Sequence, residues 1–242
     1  MRSWIFGLFA TSFIAVAPVS ALASSLQVMP VNIEVPAPGA ASTVSITNSG
    51  AESVNAQIRI FKWVQVNGQD ELVPTKDVVA SPPALKMQPG KKNVIRIVRL
   101  SKTPAAVEET YRLVVDEVPK PPKPGQAGVA FAVRYSIPVF FSKPGADIEV
   151  SWKVVSSGGK YFLTADNKGG RRIRVASLRV LNGAGKSFTI AEGLAGYVLG
   201  QSSKKWLIKG GGKSIVKGGP VRIVAMSDNG PIEATANVVT SK

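Results

Sequence analysis

The chain has 242 residues, 30 Lys plus Arg against 15 Asp plus Glu, a formal charge of +15, and neither Cys nor His. Without cysteine there are no disulfides and no thiol chemistry, and without histidine the Ser-His-Asp and Cys-His constellations and the common zinc sites are excluded as well. Such an excess of cations suits nucleic acid in a cytoplasmic protein, but acidic partner proteins or anionic surfaces in an exported one.

The first segment points to export. Arg2 supplies a positive start, an apolar stretch runs from Trp4 to about Val16, and Ala21-Leu22-Ala23 has the small-x-small form cut by a signal peptidase. Residues 1–23 therefore read as a signal peptide, with the mature chain starting at Ser24. Gly7, Thr11, Ser12 and Pro18 interrupt an apolar run already short of the roughly 20 residues that a spanning helix needs.

Beyond Ser24 the pattern is strand-like almost throughout. Val44 and Ile46 alternate with Ser and Thr before the turn signal Asn48-Ser49-Gly50, and Val54, Ala56, Ile58 and Ile60 alternate with Asn55, Gln57 and Arg59. Asn67-Gly68 marks a tight turn, Ser81-Pro82-Pro83 and Pro89-Gly90 mark loops, and "NVIRIVRL" and "YRLVVDEV" are rich in β-branched residues. The carboxylate pairs Asp70-Glu71, Glu108-Glu109 and Asp116-Glu117 are sequence neighbours, which a strand points to opposite faces, so they build no acid/base dyad.

A Pro-rich loop, "PKPPKPGQAG" (119 to 128), delivers the chain into "GVAFAVRYSIPVFF" (128 to 141). There Val129, Phe131, Val133, Tyr135, Ile137 and Val139 recur at every second position, so a strand puts them on one face. Such a strand exceeds the usual length of about 10 residues. Read from the residues alone, it either fills its own core or pairs with another chain. "SKPGA" (142 to 146) then reads as an interdomain joint. Past it, "IEVSWKVV", "KYFLTAD", "RRIRVASLRVL", "SFTIAEG", "KKWLIKG", "PVRIVAMSD" and "IEATANVV" are strands separated by short Gly-rich turns. "KGGGKS" (209 to 214) ends like a phosphate-binding loop, but Leu207 stands where the motif needs its first Gly and no helix follows, so it reads as a basic turn. The expectation is an all-β protein of two sandwiches, of roughly 120 and 100 residues.

The segments "RIFKW" (59 to 63), "LVPT" (72 to 75), "SPP" (81 to 83), "MQPG" (87 to 90), "VIRIVR" (94 to 99), "YRLVVDEVP" (111 to 119) and "RYSIPVFF" (134 to 141), in this order and spacing, resemble the periplasmic chaperones of chaperone-usher pilus assembly, the PapD-like family. The resemblance covers essentially the whole first domain, and the second matches in class and length. It implies two immunoglobulin-like β-sandwich domains in a boomerang arrangement, spanning 24–142 and 143–242, with a subunit-binding cleft between them. It implies a non-enzymatic periplasmic chaperone that needs no cofactor or metal and binds no nucleic acid. Such a chaperone stabilises pilin subunits by donor-strand complementation and hands them to an outer-membrane usher. Val129, Phe131 and Val133 would be the donor side chains, with Tyr135 and Ile137 continuing the face, and the free protein would be able to cap its donor strand by dimerising.

The sequence departs from the better-known branch of the family, in which an Arg on the first strand and a Lys near the end of the donor strand hold the subunit's terminal carboxylate. Pro30 and Pro138 stand at those positions and supply neither charge nor N–H. The chain is therefore more similar to the divergent branch called archaic or alternative, and its carboxylate anchor must move. Arg112 and Arg134 are the nominated replacements, with Arg96 and Arg99 behind them, since charge-assisted hydrogen bonding from Arg is the chemistry required. Two other readings stay open. One is a secreted two-domain β-sandwich adhesin, which would not need the long apolar strand. The other is an exported hydrolase built on a Ser-Lys pair, for which Ser142-Lys143 is most simply part of the joint.

Overall fold

The structure is a computed structural model that describes residues 26–103, 105–119, 132–210, 212–216 and 219–240. Among these there is no α-helix. The strands of the first half are β1 (Leu26–Met29), β2 (Ile33–Pro36), β3 (Ala41–Asn48), β4 (Val54–Val66), β5 (Gln69–Pro74), β6 (Val78–Ser81), β7 (Ala84–Met87), β8 (Lys92–Arg99), β9 (Glu109–Val118) and β10 (Arg134–Ser142). Those of the second half are β11 (Val150–Ser157), β12 (Lys160–Asn167), β13 (Ile173–Leu181), β14 (Ser187–Val198), β15 (Ser202–Leu207), β16 (Val221–Ser227), β17 (Gly230–Ala236) and β18 (Val238–Thr240), with a short 3-10 turn at Gly212–Val216.

Each half packs two sheets face to face. In the first, β1-β3-β8-β6 covers β2-β10-β9-β4-β5, with β7 added to β4. In the second, β15-β12-β11-β18 covers β14-β13-β16-β17. The alternation expected for half-buried strands is what closes each sandwich. Val44, Ile46, Ile95 and Ile97 from one sheet meet Leu113, Val115, Val139 and Phe141 from the other, nearly all of them fully buried. The second core gathers Val154, Leu163, Val180, Val198 and Ile223 around Trp206, which stacks on Trp152 at 6.0 Å.

Among the described residues, the halves meet in three places. The β4–β5 hairpin turns at Asn67-Gly68, both with positive φ (52° and 79°), the two-residue geometry that this pair favours. Its tip lies on β15, where the Lys205 N–H donates to the Gly68 carbonyl at 3.0 Å and Lys204 pairs with Asp70 at 2.6 Å. A side chain at position 68 would put its Cβ 2.6 Å from that of Lys205, so glycine is required by space as well as by conformation. Beside it, Trp63 and Phe140 pack with Tyr197 and Leu199 as a small aromatic core shared by both halves.

The third contact is ionic. Arg172, just before β13, is 5 % exposed and lies flat over the Phe140 ring at 3.4 Å. Its guanidinium donates to the wholly buried Glu108 carboxylate and to Glu34, and its backbone N–H donates to the second Glu108 oxygen at 3.1 Å. Burial pushes the Glu108 carboxyl above its ordinary range, opposed by Arg172. Truncating Arg172 leaves the Glu108 carboxylate in a dry joint without the cation that hydrogen-bonds it, with only the more distant Arg171 charge nearby. Arg172→Ala is expected to cost about 3–5 kcal/mol, read by denaturant or thermal unfolding, and Glu108→Gln in that background should recover a large share.

Candidate functional site

The strand β10 pairs along its whole length with β9 but has its other neighbour, β2, only from Val139 onward, through a parallel ladder of Val139–Ser142 with Ile33–Pro36. From Arg134 to Pro138 that outer edge has no strand partner among the described residues. The Glu117 N–H donates to the Val133 carbonyl at 2.9 Å, which fixes the phase of the ladder. Odd-numbered residues from Val133 turn their N–H and C=O groups to β9, and even-numbered ones turn theirs outward. The open edge therefore presents both groups of Arg134 and the N–H of Ser136, whose carbonyl accepts from Arg112, while the Pro138 carbonyl already faces the start of β2. Proline's missing N–H falls on this outer side and costs the β9 ladder nothing.

The side chains divide differently. Tyr135 and Ile137 face the domain's own core: Ile137 is 3 % exposed among Val115, Val139 and Leu26, and the Tyr135 hydroxyl donates to the Leu26 carbonyl. Ile137, on which the donor face was expected to continue, is thus packed inside the sandwich, whereas Tyr135 keeps part of its ring exposed. Val133 is half-buried and precedes the strand, whereas Val129 and Phe131 lie outside the described residues.

On the opposite face, register aligns four cross-strand rows over β4, β9 and β10. Trp63, Thr110 and Phe140 form the first, beneath the second half of the molecule. Phe61, Arg112 and Pro138 form the second; Arg59, Val114 and Ser136 the third; Gln57, Asp116 and Arg134 the fourth. The nominated arginines are thus on one face, but in different states. Arg134 donates to Asp116, whose other oxygen takes Arg59. Arg99 grips Glu109 with two N–H groups at 2.7 and 2.8 Å and also donates to the carbonyls of Ser101 and Thr103. Arg96 is exposed on the other sheet. Arg112 alone of the four combines partial burial with the absence of an acid in ion-pair reach among the described residues. Its guanidinium carbon sits 3.8 Å from the centroid of Trp63 and 6.0 Å from that of Tyr197, and it donates to the Ser136 carbonyl at 3.3 Å. Burial pulls its pKa below the ordinary Arg value, opposed by Tyr197 and Asp70.

Sequence reasoning missed Trp63, Tyr197, Glu108 and Arg172. "RIFKW" placed Trp63 on a strand, and a Trp on the face opposite the core residues Ile58 and Ile60 was a usable signal. Tyr197 and Arg172 had none, because their role exists only across the joint. No group of three or more His, Cys, Asp or Glu able to hold a metal occurs among the described residues.

Residues 25–146 match the family model of the pili and flagellar-assembly chaperones, PapD N-terminal domain. No curated protein sequence matches the chain. Among solved structures, a complex of the CsuC chaperone with the CsuE tip adhesion subunit, from archaic Csu pili of Acinetobacter baumannii, superposes with a TM-score of 0.68 at 24% identity, covering 90% of this chain and 100% of the other. The YadV chaperone follows at 0.62 and 18%, covering 88% and 100%. The SafB chaperone of Salmonella enterica, solved with the SafA pilin, gives 0.60 and 16%, covering 89% and 98%. At these identities the likeness is one of fold.

The carboxylates on these sheets set an acid limit. The Arg99 hydrogen bonds hold the Glu109 carboxyl below its ordinary range against burial, and for Asp116 burial pushes upward but is outweighed by Arg134 and Arg59. Their contribution to stability is present above the ordinary carboxylate pKa of about 4 and is lost as pH falls below it, through the lower folded values. Urea midpoints measured between pH 2.5 and 6 should show this loss, and Glu109→Gln with Asp116→Asn should flatten it.

Proposed function

The chain belongs to the family of pili and flagellar-assembly chaperones of the PapD type, and on that premise we propose that it is a periplasmic chaperone that completes pilin subunits with its own strand. One observation carries this reading: β10 is half-integrated, with an outer edge open from Arg134 to Pro138 that begins where Val133 leaves the domain. An extended subunit strand adds to that edge by main-chain bonds, while Val133, with Val129 and Phe131 before it, fills the groove of a sandwich lacking a strand. The solved CsuC–CsuE and SafA–SafB complexes name a tip adhesion subunit and a pilin as such partners.

The remainder of the reading follows from the same step. Residues 1–23 are removed on export and the mature chain works in the periplasm. The mechanism is non-enzymatic: no bond in the subunit is broken, and release at an outer-membrane usher occurs when the next subunit's extension replaces the donor segment in a tighter complex. The same open edge suits capping by a second copy when no subunit is present. Arg112, at the inner end of the edge and without an acid of its own, receives the subunit's terminal carboxylate, whereas Arg134 is committed to Asp116. An adhesin built on this fold would have no use for a strand left half-paired.

Val133→Asp places an uncompensated charge in the subunit groove, a penalty of about 3–5 kcal/mol, so capture should fall by roughly 100-fold or more while the chaperone stays folded. Co-expression in a periplasm with a pilin subunit, then pull-down and native mass measurement, reads this. A one-to-one complex lost in the variant supports the reading; undiminished capture by Val133→Asp removes Val133 from the donor segment.

A further inference from the structure

We propose that the outer face of the β15-β12-β11-β18 sheet is a second interaction surface, which lays this half of the molecule on the headgroups of an anionic phospholipid bilayer. The proposal goes beyond the chaperone reading and does not depend on it.

The sequence supplies the charge. Between Glu192 and Asp228 there is no acidic residue, while Lys204, Lys205, Lys209, Lys213, Lys217 and Arg222 fall in the same stretch, which includes the basic turn "KGGGKS" that no chaperone step uses. Such charge speaks to association only through what the fold sets beside it.

The fold sets an apolar row there. Register aligns Leu207 of β15, Phe162 of β12, Val155 of β11 and Val239 of β18 across all four strands. Their chain neighbours Trp206, Leu163, Val154 and Val238 turn inward to the core, so this row points away from it. Leu207 and Val239, at the two edges, are 41 % and 51 % exposed, with Phe162 and Val155 half-buried between them. Single exposed apolar residues are ordinary on a surface, but a cross-strand row of four is a continuous stripe.

Lysines border the stripe on both sides. Two residues towards the joint, Lys205 and Lys153 share a row through Thr164. Two residues away from it, Lys160 begins β12, and with Leu207 and Lys209 it lines one shallow hollow. The Ile208 N–H donates to the Tyr161 carbonyl at 2.9 Å, which holds the segment of Lys209 beside that of Lys160. The Lys205 ammonium lies 4.1 Å from the centre of the Phe162 ring. Of the acids nearby, Asp166 is bound to Lys153 at 2.7 Å and Asp70 to Lys204 at 2.6 Å. Lys160 and Lys209 have no acid in ion-pair reach among the described residues.

This combination selects the occupant. Lysine stems lie along apolar surface while their ammonium groups reach outward, the arrangement of proteins that rest at a membrane interface. The core of a protein-protein contact is poor in lysine and favours Arg, whose fork fixes a carboxylate, and the outward residues of this sheet include lysines and no Arg. A second copy of the chain is opposed, because the face laid on itself sets lysines against lysines. On a bilayer the apolar row enters the headgroup layer and the lysines on either side meet its phosphates.

The test is flotation of the chain from Ser24 with vesicles of phosphatidylcholine alone and of phosphatidylcholine with roughly one-third phosphatidylglycerol, at low and high salt. The unaltered protein should bind the anionic vesicles, release them in high salt and ignore the neutral ones. Each lysine at such a surface is worth about fivefold in partition, so Lys160→Gln with Lys209→Gln should weaken binding by roughly 25-fold. Lys76→Gln with Lys86→Gln, exposed positions on the first half, should weaken it by no more than about twofold. Leu207→Ser with Val239→Ser keeps every charge and should weaken binding by about tenfold, with an unfolding midpoint near that of the unaltered protein because both side chains are exposed. Equal losses from the two lysine pairs would assign binding to net charge and overturn the site. Undiminished binding after Leu207→Ser with Val239→Ser removes the apolar row and with it the membrane reading. Absence of binding to anionic vesicles overturns the proposal, and retention on immobilised polyglutamate that Lys160→Gln with Lys209→Gln abolishes would then give the face to an acidic protein.

Discussion

The cleft exists because a buried guanidinium has its counter-ions on the other side of a domain boundary. Arg172 belongs to the second half of the chain, Glu108 and Glu34 to the first, and the aromatic floor of Phe140 lies between. A charge in a dry site cannot lose its partner without a cost of several kcal/mol, so rotation of one half against the other is opposed at the outset. Interdomain contacts are commonly small and mobile. Here the ionic contact acts with the hairpin tip on β15 and the Trp63–Tyr197 cluster, giving three separated points, and three points fix an orientation. Such a cluster does little for net stability compared with an apolar filling of the same volume. Its value is in specifying one arrangement.

Given a fixed joint, β10 is divided between two tasks. From Val139 to Phe141 it is a central strand, paired on both sides, with Val139 and Phe140 fully buried. Ahead of that it is an edge. Open edges invite unintended pairing, and proteins blunt them with charges, prolines and short length. All three devices are present: Arg134 with Asp116 at the start, Pro138 at the end, and a length of only five residues counting both. So short an edge offers a partner few main-chain bonds. Affinity for an incomplete sandwich must then come from apolar side chains that precede the edge, which places the weight on Val133 and the residues before it.

The strand content and both sandwiches were legible in the sequence, because alternation of apolar and polar residues is the direct imprint of a sheet with one covered face. Residues such as Val44, Ile46, Ile58 and Leu113 sit where that periodicity puts them. The long alternation of Val129 to Val139 was legible as a pattern and ambiguous as a function. Period two reports which side chains share a face and is silent on what covers it. Ile137 is covered by the protein's own core and Tyr135 is partly covered by it, a fact of tertiary packing that no local spacing encodes. The joint was illegible for the same reason. Arg172 and Tyr197 lie more than sixty and more than a hundred residues from Glu108 and Trp63, and nothing in the composition around an Arg-Arg pair or a lone Tyr says that it meets another domain.

The two prolines acquire a common explanation once the rows of the sheet are known. By resemblance, Pro30 and Pro138 stand where the better-known chaperones carry their carboxylate-binding cations. Pro30 sits exposed at the crossing between β1 and β2, and Pro138 has its missing N–H on the open edge, so neither disturbs a ladder. Arg112 is the cross-strand partner of Pro138 in the row at the lip of the joint, which is one strand spacing, about 4.8 Å, inward from the lost cation. Arg112 occupies a half-buried place there, against Trp63 of its own half and near Tyr197 of the other. A guanidinium one strand in from the edge is desolvated, and the Trp63 ring on which Arg112 lies offsets part of that cost where no acid is in ion-pair reach among the described residues.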